Sequence, residues 1–235
     1  MATITPLHAA EDSRTLGSRV YDLLRDDIIS GELAPGQKLT LDALKLRYSV
    51  GITPLREALY RLSTSLLVLA EDQRGFRVAP VSPEHKAEIV AARQHIEVLV
   101  LRDALEHGDV AWESRIVSAF HQFKNTPMYD ETTGAITRAW EIAHRNFHSA
   151  ISSAAKSTIL LHFQAMLWDH AARYRNLRKP TAIQPTLHDE HEGLVAAILD
   201  RDVEFACLLM RRHVMGTGEP ATVPLRRLGG AVPAE

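Results

Sequence analysis

The sequence predicts a mainly α-helical protein made of an N-terminal winged helix-turn-helix and a C-terminal antiparallel bundle of six or seven helices. Three observations support this fold class. The first 80 or so of the 235 residues contain short helical patterns followed by two strand-like runs. Beyond them the helical period continues with no further strand signal. A chain of this length also fits two domains. We predict a disordered N-terminus over 1–15, a winged domain over 16–79, a helical domain over 80–215 and a flexible tail over 216–235.

The first two helices are short. Apolar residues recur at helical spacing between Val20 and Ile28, and the run stops at Gly31, where glycine can adopt the left-handed conformation that closes a helix. A second helix is predicted over 41–48, with Thr40 placed to cap it.

The third helix carries the first candidate function. Thr53 and Pro54 are a start signal, with an oxygen side chain to cap the helix and a proline at its first position. Leucines at helical spacing predict one buried face, which leaves Thr53, Arg56 and Tyr60 on the others. Two short helices joined by a tight turn, with an arginine early in the second, fit the major groove of DNA. The alternative for Arg56 is a surface interaction with Glu57 or Tyr60.

Two strands over 67–70 and 75–78 are predicted to form a hairpin, or wing, whose tip ends in a cation before glycine. Residues 45–77 contain six lysines and arginines against three acids, but the whole chain has a net charge of −2. Phosphate attraction alone would therefore be weak, and we expect a homodimer to supply further affinity. The candidate contacts to double-stranded DNA are Arg47, Thr53, Arg56, Arg74 and Gly75.

A proline-rich hinge over 79–83 separates the two parts. Helices are then predicted at about 83–107, 110–124, 131–153, 156–178, 185–199 and 202–214.

Histidines lie on the apolar faces of three of these helices. His144 and His148 are four residues apart, a spacing that lets two imidazoles reach one metal ion. His191 and His213, on the last two helices, also share faces with apolar residues, so the four could converge. His188, about one turn before His191, is an alternative ligand. The competing interpretation is that these histidines are hydrogen-bonded or lie at the surface.

Charged residues suited to a small carboxylate occur on the first and fourth helices of the bundle, namely Arg93, Glu97, Arg173 and Arg175. Guanidinium groups pair bidentately with carboxylates. An ion pair within the helix is the alternative for Arg93 and Glu97. Solvation at the surface is the alternative for at least one of Arg173 and Arg175, because residues two apart do not share a helix face.

The strings "PGQKL", "TPLREAL" and "RGFRV" in the first third resemble the DNA-binding domain of the GntR family of bacterial transcription regulators. One departure is Gly51-Ile52, where that family usually has Ser-Arg. The strings "HRNFH", "DEHEGLVAAI" and "ACLLMRRHV" resemble, in order, the metal-binding motifs of the FCD type of effector domain. The resemblance implies a divalent metal held by four side chains, with His144 in the place of the usual aspartate. An all-histidine set favours zinc or nickel.

The strings "LREAL", "HRNFHSAI" and "DHAARYR" further resemble the subgroup of carbon-starvation repressors that respond to glutarate. This implies a five-carbon dicarboxylate, or a relative of it, as the effector. The expected function is a transcriptional repressor, with an activator as the alternative, whose operator binding changes when the carboxylate binds near the metal.

Two other functions remain open from the sequence. The chain could sense the metal ion itself. It could also be a metal-dependent hydrolase or oxygenase fused to a DNA-binding module, with Glu141 or Asp189 as a base, although we expect no enzyme. The single cysteine, Cys207, and the absence of a 20-residue apolar run or a signal-peptide core predict a cytoplasmic protein that does not bind a membrane.

Overall fold

In the computed structural model, the described residues are 15–71, 74–177 and 186–216, with side chains in the last segment described from residue 190. Apart from Thr15 and Gly216, the terminal segments predicted to be disordered or flexible lie outside this range. The described chain divides into two compact units. The first, or head, contains 15–27 and Gln37–Ala79, and the second, or bundle, contains Ile28–Gly36 and 80–216.

The described residues of the head form three helices and a small antiparallel sheet. Its elements are α1 (Leu16–Ser30, which ends in the other unit), β1 (Lys38–Leu39), α2 (Leu41–Tyr48), α3 (Ile52–Thr64), β2 (Val68–Glu71) and β3 (Gly75–Val78). The strand order is β1-β3-β2, with Leu39 opposite Phe76 and Val68 opposite Val78. The predicted hairpin is therefore present. The strand β1 was not predicted, because two residues are too few to show an alternating pattern.

The start of α3 differs from the prediction. Gly51, and not Thr53, occupies the capping position, and its extended backbone leads directly into Ile52. Pro54 then falls within the first turn, where its missing N–H is tolerated because those N–H groups have no partner inside the helix. Thr40 does precede α2, but its side chain makes no capping hydrogen bond.

Six helices form the described part of the bundle. They are α4 (Pro83–His107), α5 (Val110–Lys124), α6 (Arg138–Ser152), α7 (Thr158–Asn176), α8 (Thr186–Leu199) and α9 (Val203–Gly216). The helix α4 packs against α7 and α9, while α5 packs against α6 and α8. Side-chain caps define several starts, because Ser82, Asp109, Thr137 and Ser157 each accept a hydrogen bond from the backbone N–H three residues later. Such caps contribute about 1 kcal/mol each.

The helix α6 begins seven residues later than the sequence suggested. Asp130 accepts hydrogen bonds from the backbone N–H groups of Thr132 and Thr133, which closes a turn before the helix. Gly134 follows with a φ of 67°, in the left-handed region. Thr137 then caps α6. Local side-chain hydrogen bonds of this kind compete with helix formation, so the segment forms a loop.

Aromatic residues fill the core of the bundle. Trp112, Phe123, Trp140 and Phe147 are almost completely buried. Burying a large apolar side chain contributes roughly 1.5 to 3 kcal/mol, so these rings anchor α5 and α6 to each other. Among the described residues, no helix combines the length and the apolar character needed to cross a bilayer.

Candidate functional site

Four histidines converge in the interior of the bundle. His144 and His148 come from α6, His191 from α8 and His213 from α9, and all four side chains are at most 4% exposed. One ring nitrogen from each can be chosen so that all four atoms lie within 4.8 Å of one another. We call these four residues the histidine cluster. The structure therefore brings together every histidine that the sequence nominated as a first-choice ligand.

The spacing of the cluster is compatible with a metal ion after small movements of the rings. A tetrahedral zinc site with Zn–N bonds of about 2.1 Å places two imidazole nitrogens roughly 3.4 Å apart. The four nitrogens of the cluster lie within 4.8 Å of one another. Each nitrogen would therefore have to move inward by less than about 1 Å, which ring rotations and small side-chain shifts can supply.

The electrostatics favour neutral imidazoles. Burial lowers the pKa of His144 and His148 well below the ordinary value, and the positive charges of Arg175 and, for His148, Arg93 lower it further. The neighbouring imidazoles act in the same direction. Both rings are therefore neutral at pH 7, and a neutral imidazole offers the lone pair that a metal needs.

The hydrogen bonds of the cluster leave ring nitrogens available to a metal ion. Within the described part of the chain, neither ring nitrogen of His144 or His148 has a hydrogen-bond partner. A buried polar group without a partner costs about 1 to 3 kcal/mol, and one ion contacting both rings would offset that cost. Nδ1 of His213 lies 3.4 Å from Oε2 of Glu190. Carboxylates commonly hold one ring nitrogen of a metal-binding histidine in this way while the other nitrogen binds the metal.

Arg175 lies beside the histidine cluster. Its guanidinium carbon is 5.7 Å from the centre of the Trp140 ring and 5.6 Å from that of Trp168. Its Nε and Nη2 atoms donate to the two carboxylate oxygens of Glu141, over 2.7 and 3.0 Å. Arg175 is thus held in place by two aromatic rings and a bidentate ion pair, and it is not a solvated surface residue. This pairing also occupies Glu141, one of the two carboxylates considered as a base.

Arg93 and Glu97 form a fully buried ion pair, so the alternative noted for them in the sequence is what the structure shows. Nη2 of Arg93 donates to Oε1 of Glu97 over 2.9 Å. The other oxygen of Glu97 accepts from Nε2 of Gln164 over 2.6 Å, and Gln164 also contacts Ser152. Arg93 lies 5.3 Å from the ring centre of Trp168. Glu97 therefore orients Arg93, and Arg93 contributes positive potential at His148.

Arg173 interacts electrostatically with His85. Its side chain is completely buried, and burial lowers its pKa to about 10. Its charge lowers the pKa of His85, at the start of α4, although burial of His85 is the larger cause. Arg173 is next to Tyr174 and on a different face of α7 from Arg175. The side chains of His188 and Asp189 lie outside the described residues.

Three residues that the sequence analysis did not nominate complete the site. Trp168 lies 4.7 Å from His148 and 5.1 Å from His144, measured between ring centres. Phe123 stacks on His144 at 5.0 Å, and Gln164 holds Glu97. The spacing of Gln164, Trp168 and Arg175 on α7 places them on one face, and this pattern was available in the sequence. The position of Phe123 on another helix was not.

The residues nominated for DNA contact lie in the head. Thr53 and Arg56 are exposed in the first turns of α3, and among the described residues Arg56 has no ion-pair partner. Arg74 and Gly75 are exposed beside the wing tip, and Gly75 has a φ of 92° that favours glycine. Residues 72 and 73 of the tip lie outside the described range.

Arg47 is less available than Arg56. Its Nε and Nη2 atoms lie 3.0 and 2.7 Å from Oδ2 of Asp27, which also accepts a hydrogen bond from the hydroxyl of Tyr48. Burial and this contact raise the pKa of Tyr48. The Arg47 side chain is 41% exposed, so the ion pair is accessible to solvent and can be exchanged for a phosphate contact.

Both parts of the chain match known protein families. Residues 16–78 match the family of bacterial regulatory proteins named gntR, and residues 88–216 match the FCD domain. The transcriptional repressor GlaR of Escherichia coli K12 is 36% identical over 200 residues, covering 83% of this chain and 90% of GlaR. The transcriptional regulator BphR of Paraburkholderia xenovorans LB400 is 35% identical over 209 residues, covering 86% of this chain and 83% of BphR.

Solved structures agree on the fold. Escherichia coli McbR/YncC has a TM-score of 0.70 at 22% identity, covering 87% of this chain and 97% of that one. A GntR regulator of Rhodococcus sp. RHA1 has a TM-score of 0.66 at 22% identity, covering 86% of this chain and 95% of that one. These families and relatives are transcriptional regulators, so the chain is a regulator and not an enzyme. It belongs to the gntR family of bacterial regulatory proteins, among the members that carry an FCD domain.

Proposed function

We propose that the chain is a homodimeric cytoplasmic repressor whose operator binding is weakened by a small dicarboxylate, glutarate or a close relative, bound beside a divalent metal in the bundle. The observation that carries this proposal is the buried histidine cluster, where His144 and His148 have no other hydrogen-bond partners among the described residues. In a regulator, such a buried polar cluster is a candidate binding site for a polar effector.

The metal would be zinc, with nickel as the second choice. Four neutral imidazoles are borderline nitrogen ligands, and these ions prefer them over the oxygen ligands that suit magnesium or calcium. His144, His148, His191 and His213 would hold the ion. When bound, it would supply a positive charge that attracts one carboxylate oxygen of the effector.

Two arginines would recognise the effector. Arg175 is held at the edge of the cluster by Glu141, and Arg93 is held by Glu97. A carboxylate entering here would meet guanidinium groups already oriented by these partners, which lowers the entropic cost of binding. Glu97 and Arg173, which the sequence also nominated, would act indirectly, Glu97 by orienting Arg93. The aromatic rings of Trp140 and Trp168 would limit the size of the acid.

Regulation requires only a modest energetic link between the two sites. A coupling free energy of about 1 to 3 kcal/mol changes operator affinity roughly 5-fold to 150-fold. The head would contact DNA through Arg56, Thr53 and the wing residues Arg74 and Gly75, with Arg47 available for a phosphate. Two heads in a dimer would read two half-sites of a pseudo-palindromic operator.

A second candidate is a regulator that senses the ion itself. The observation favouring it is that the cluster offers four imidazoles, the number of protein ligands that closed structural zinc sites use, so a bound zinc ion would need no further ligand. Chelation separates the two possibilities. If the ion is the signal, removing zinc changes operator affinity in the absence of any acid. If the acid is the signal, glutarate changes operator affinity while zinc stays bound.

We expect glutarate to stabilise the zinc-loaded protein against heat. A ligand at 100 times its dissociation constant stabilises the folded state by about 2.7 kcal/mol, which corresponds to several degrees in the unfolding midpoint. Thermal unfolding of zinc-loaded protein with a series of dicarboxylates of four to six carbons measures this. Glutaramide is the matched control, because it keeps the shape and removes both charges. An unfolding midpoint that no acid in the series raises above that of the acid-free protein would contradict a carboxylate effector.

A further inference from the structure

Tyr174 attaches α7 to the chain immediately after the head. Its hydroxyl accepts a hydrogen bond from the backbone N–H of Ser82 over 3.2 Å and lies 3.2 Å from the Ser82 carbonyl oxygen, to which it can donate. Nδ1 of His85 lies 2.9 Å from the same hydroxyl. The ring is buried, and it packs with Val81 and Ile89. One side chain thus contacts both backbone polar groups of Ser82.

The segment between Ser82 and the head is very short. Ala79, the last residue of the head, donates its backbone N–H to the carbonyl of Leu67 over 3.0 Å. Only Pro80 and Val81 lie between this anchor and Ser82. Proline fixes one backbone angle, and Val81 is buried in the bundle, so this tether has little slack. A displacement of Ser82 must therefore be transmitted to Ala79 or absorbed at Pro80.

The same helix carries the side chain beside the histidine cluster. Arg175 directly follows Tyr174, and it is held against Glu141 of α6 by two hydrogen bonds. A carboxylate that pairs with Arg175 competes with Glu141 for the guanidinium group. Such competition changes how α7 is held on α6, and Tyr174 moves with its helix.

We infer that Tyr174 is a positioning residue that transmits occupancy of the effector site to the head by moving Ser82 and the tether over residues 80–81. The inference rests on the proposed function. It assigns to Tyr174 no part in binding the metal, the acid or DNA. Its role is confined to the coupling between the two sites.

Tyr174→Phe tests this role, because it removes the hydroxyl and keeps the ring that packs on Val81. The probes are zinc, glutarate and a duplex from the promoter of the protein's own gene. We expect the affinities for zinc, for glutarate and for the duplex without acid each to stay within about threefold of wild type. The ratio of operator dissociation constants with and without glutarate should fall from at least about fivefold to near one.

Ser82→Ala is the matched control. It removes the hydroxyl that caps α4 by accepting from His85 N–H, but it keeps the backbone groups that Tyr174 holds. We expect this variant to melt at a lower temperature and to keep the glutarate response. A second variant tests the tether itself. Inserting Gly-Gly between Pro80 and Val81 lengthens the tether and leaves Tyr174 unchanged. We expect the insertion to abolish the glutarate response as well, and this variant serves as the test if Tyr174→Phe does not fold.

The outcomes are distinct. A full glutarate response in folded Tyr174→Phe, or in the insertion variant if Tyr174→Phe does not fold, would overturn the inference and leave the proposed function standing. Loss of glutarate or zinc binding in Tyr174→Phe would also overturn it, because the residue would then belong to the binding site. Wild-type protein that binds glutarate with no change in operator affinity would instead overturn the proposed function, and this inference with it.

Discussion

Replacing His148 with alanine is expected to remove zinc and the glutarate response while operator binding without acid is kept. Structural zinc sites contribute about 10 to 16 kcal/mol of apparent binding free energy, so each of four ligands accounts for roughly 3 kcal/mol. Zinc affinity should therefore fall roughly 100-fold or more. Competition with a chromophoric chelator measures this affinity, and titration of the operator duplex measures DNA binding.

The matched control is His162→Ala, which removes an exposed histidine of α7 that is not in the cluster. This variant should bind zinc as wild type does. Unfolding of the zinc-free proteins shows whether His148→Ala loses zinc through its ligand role or through a damaged core. If His148→Ala kept wild-type zinc affinity, the histidine cluster would not be the metal site.

Replacing Arg56 with alanine is expected to weaken operator binding roughly 10-fold to 100-fold and to leave zinc and glutarate binding unchanged. Arg56 is exposed early in α3, where a recognition helix contacts bases, and a bidentate arginine contact to a base contributes about 1 to 3 kcal/mol. Fluorescence anisotropy with the operator and with an unrelated duplex measures both affinity and specificity. A contact to a base lowers affinity mainly for the operator. A contact to phosphate lowers affinity for both duplexes and reduces the salt dependence.

Arg115→Ala is the control for Arg56→Ala, because it removes one positive charge from an exposed position on α5 in the other unit. The two variants have the same net charge. Equal losses of operator affinity in both would indicate a general charge effect and would contradict a specific role for Arg56.

Local patterns in the sequence predicted most of the fold. Helix α4 was predicted with its observed bounds, because Ser82 and Pro83 form a strong start signal and its apolar residues repeat at helical spacing. The start of α6 was predicted wrongly, because the turn closed by Asp130 depends on side-chain hydrogen bonds that periodicity does not report. The predicted cap of α3 was also wrong, because the helix begins at Ile52 after the extended backbone of Gly51, so that Thr53 lies inside the helix.

The site was predictable where its residues lie close in sequence. The spacing of His144 and His148 on α6 and of Arg93 and Glu97 on α4 follows from the helical period. Contacts between side chains on different helices did not follow from the helical period. The contact of Arg175 with Glu141 depends on how α6 and α7 are rotated and offset against each other, and that arrangement is set by core packing.

Regulation by the acid is tested most directly by the operator affinity of zinc-loaded wild-type protein, measured with and without saturating glutarate at fixed salt. We expect glutarate to raise the operator dissociation constant at least about fivefold, with zinc still bound to the protein. The same dissociation constant in both conditions, at a glutarate concentration shown by calorimetry to saturate the protein, would contradict it.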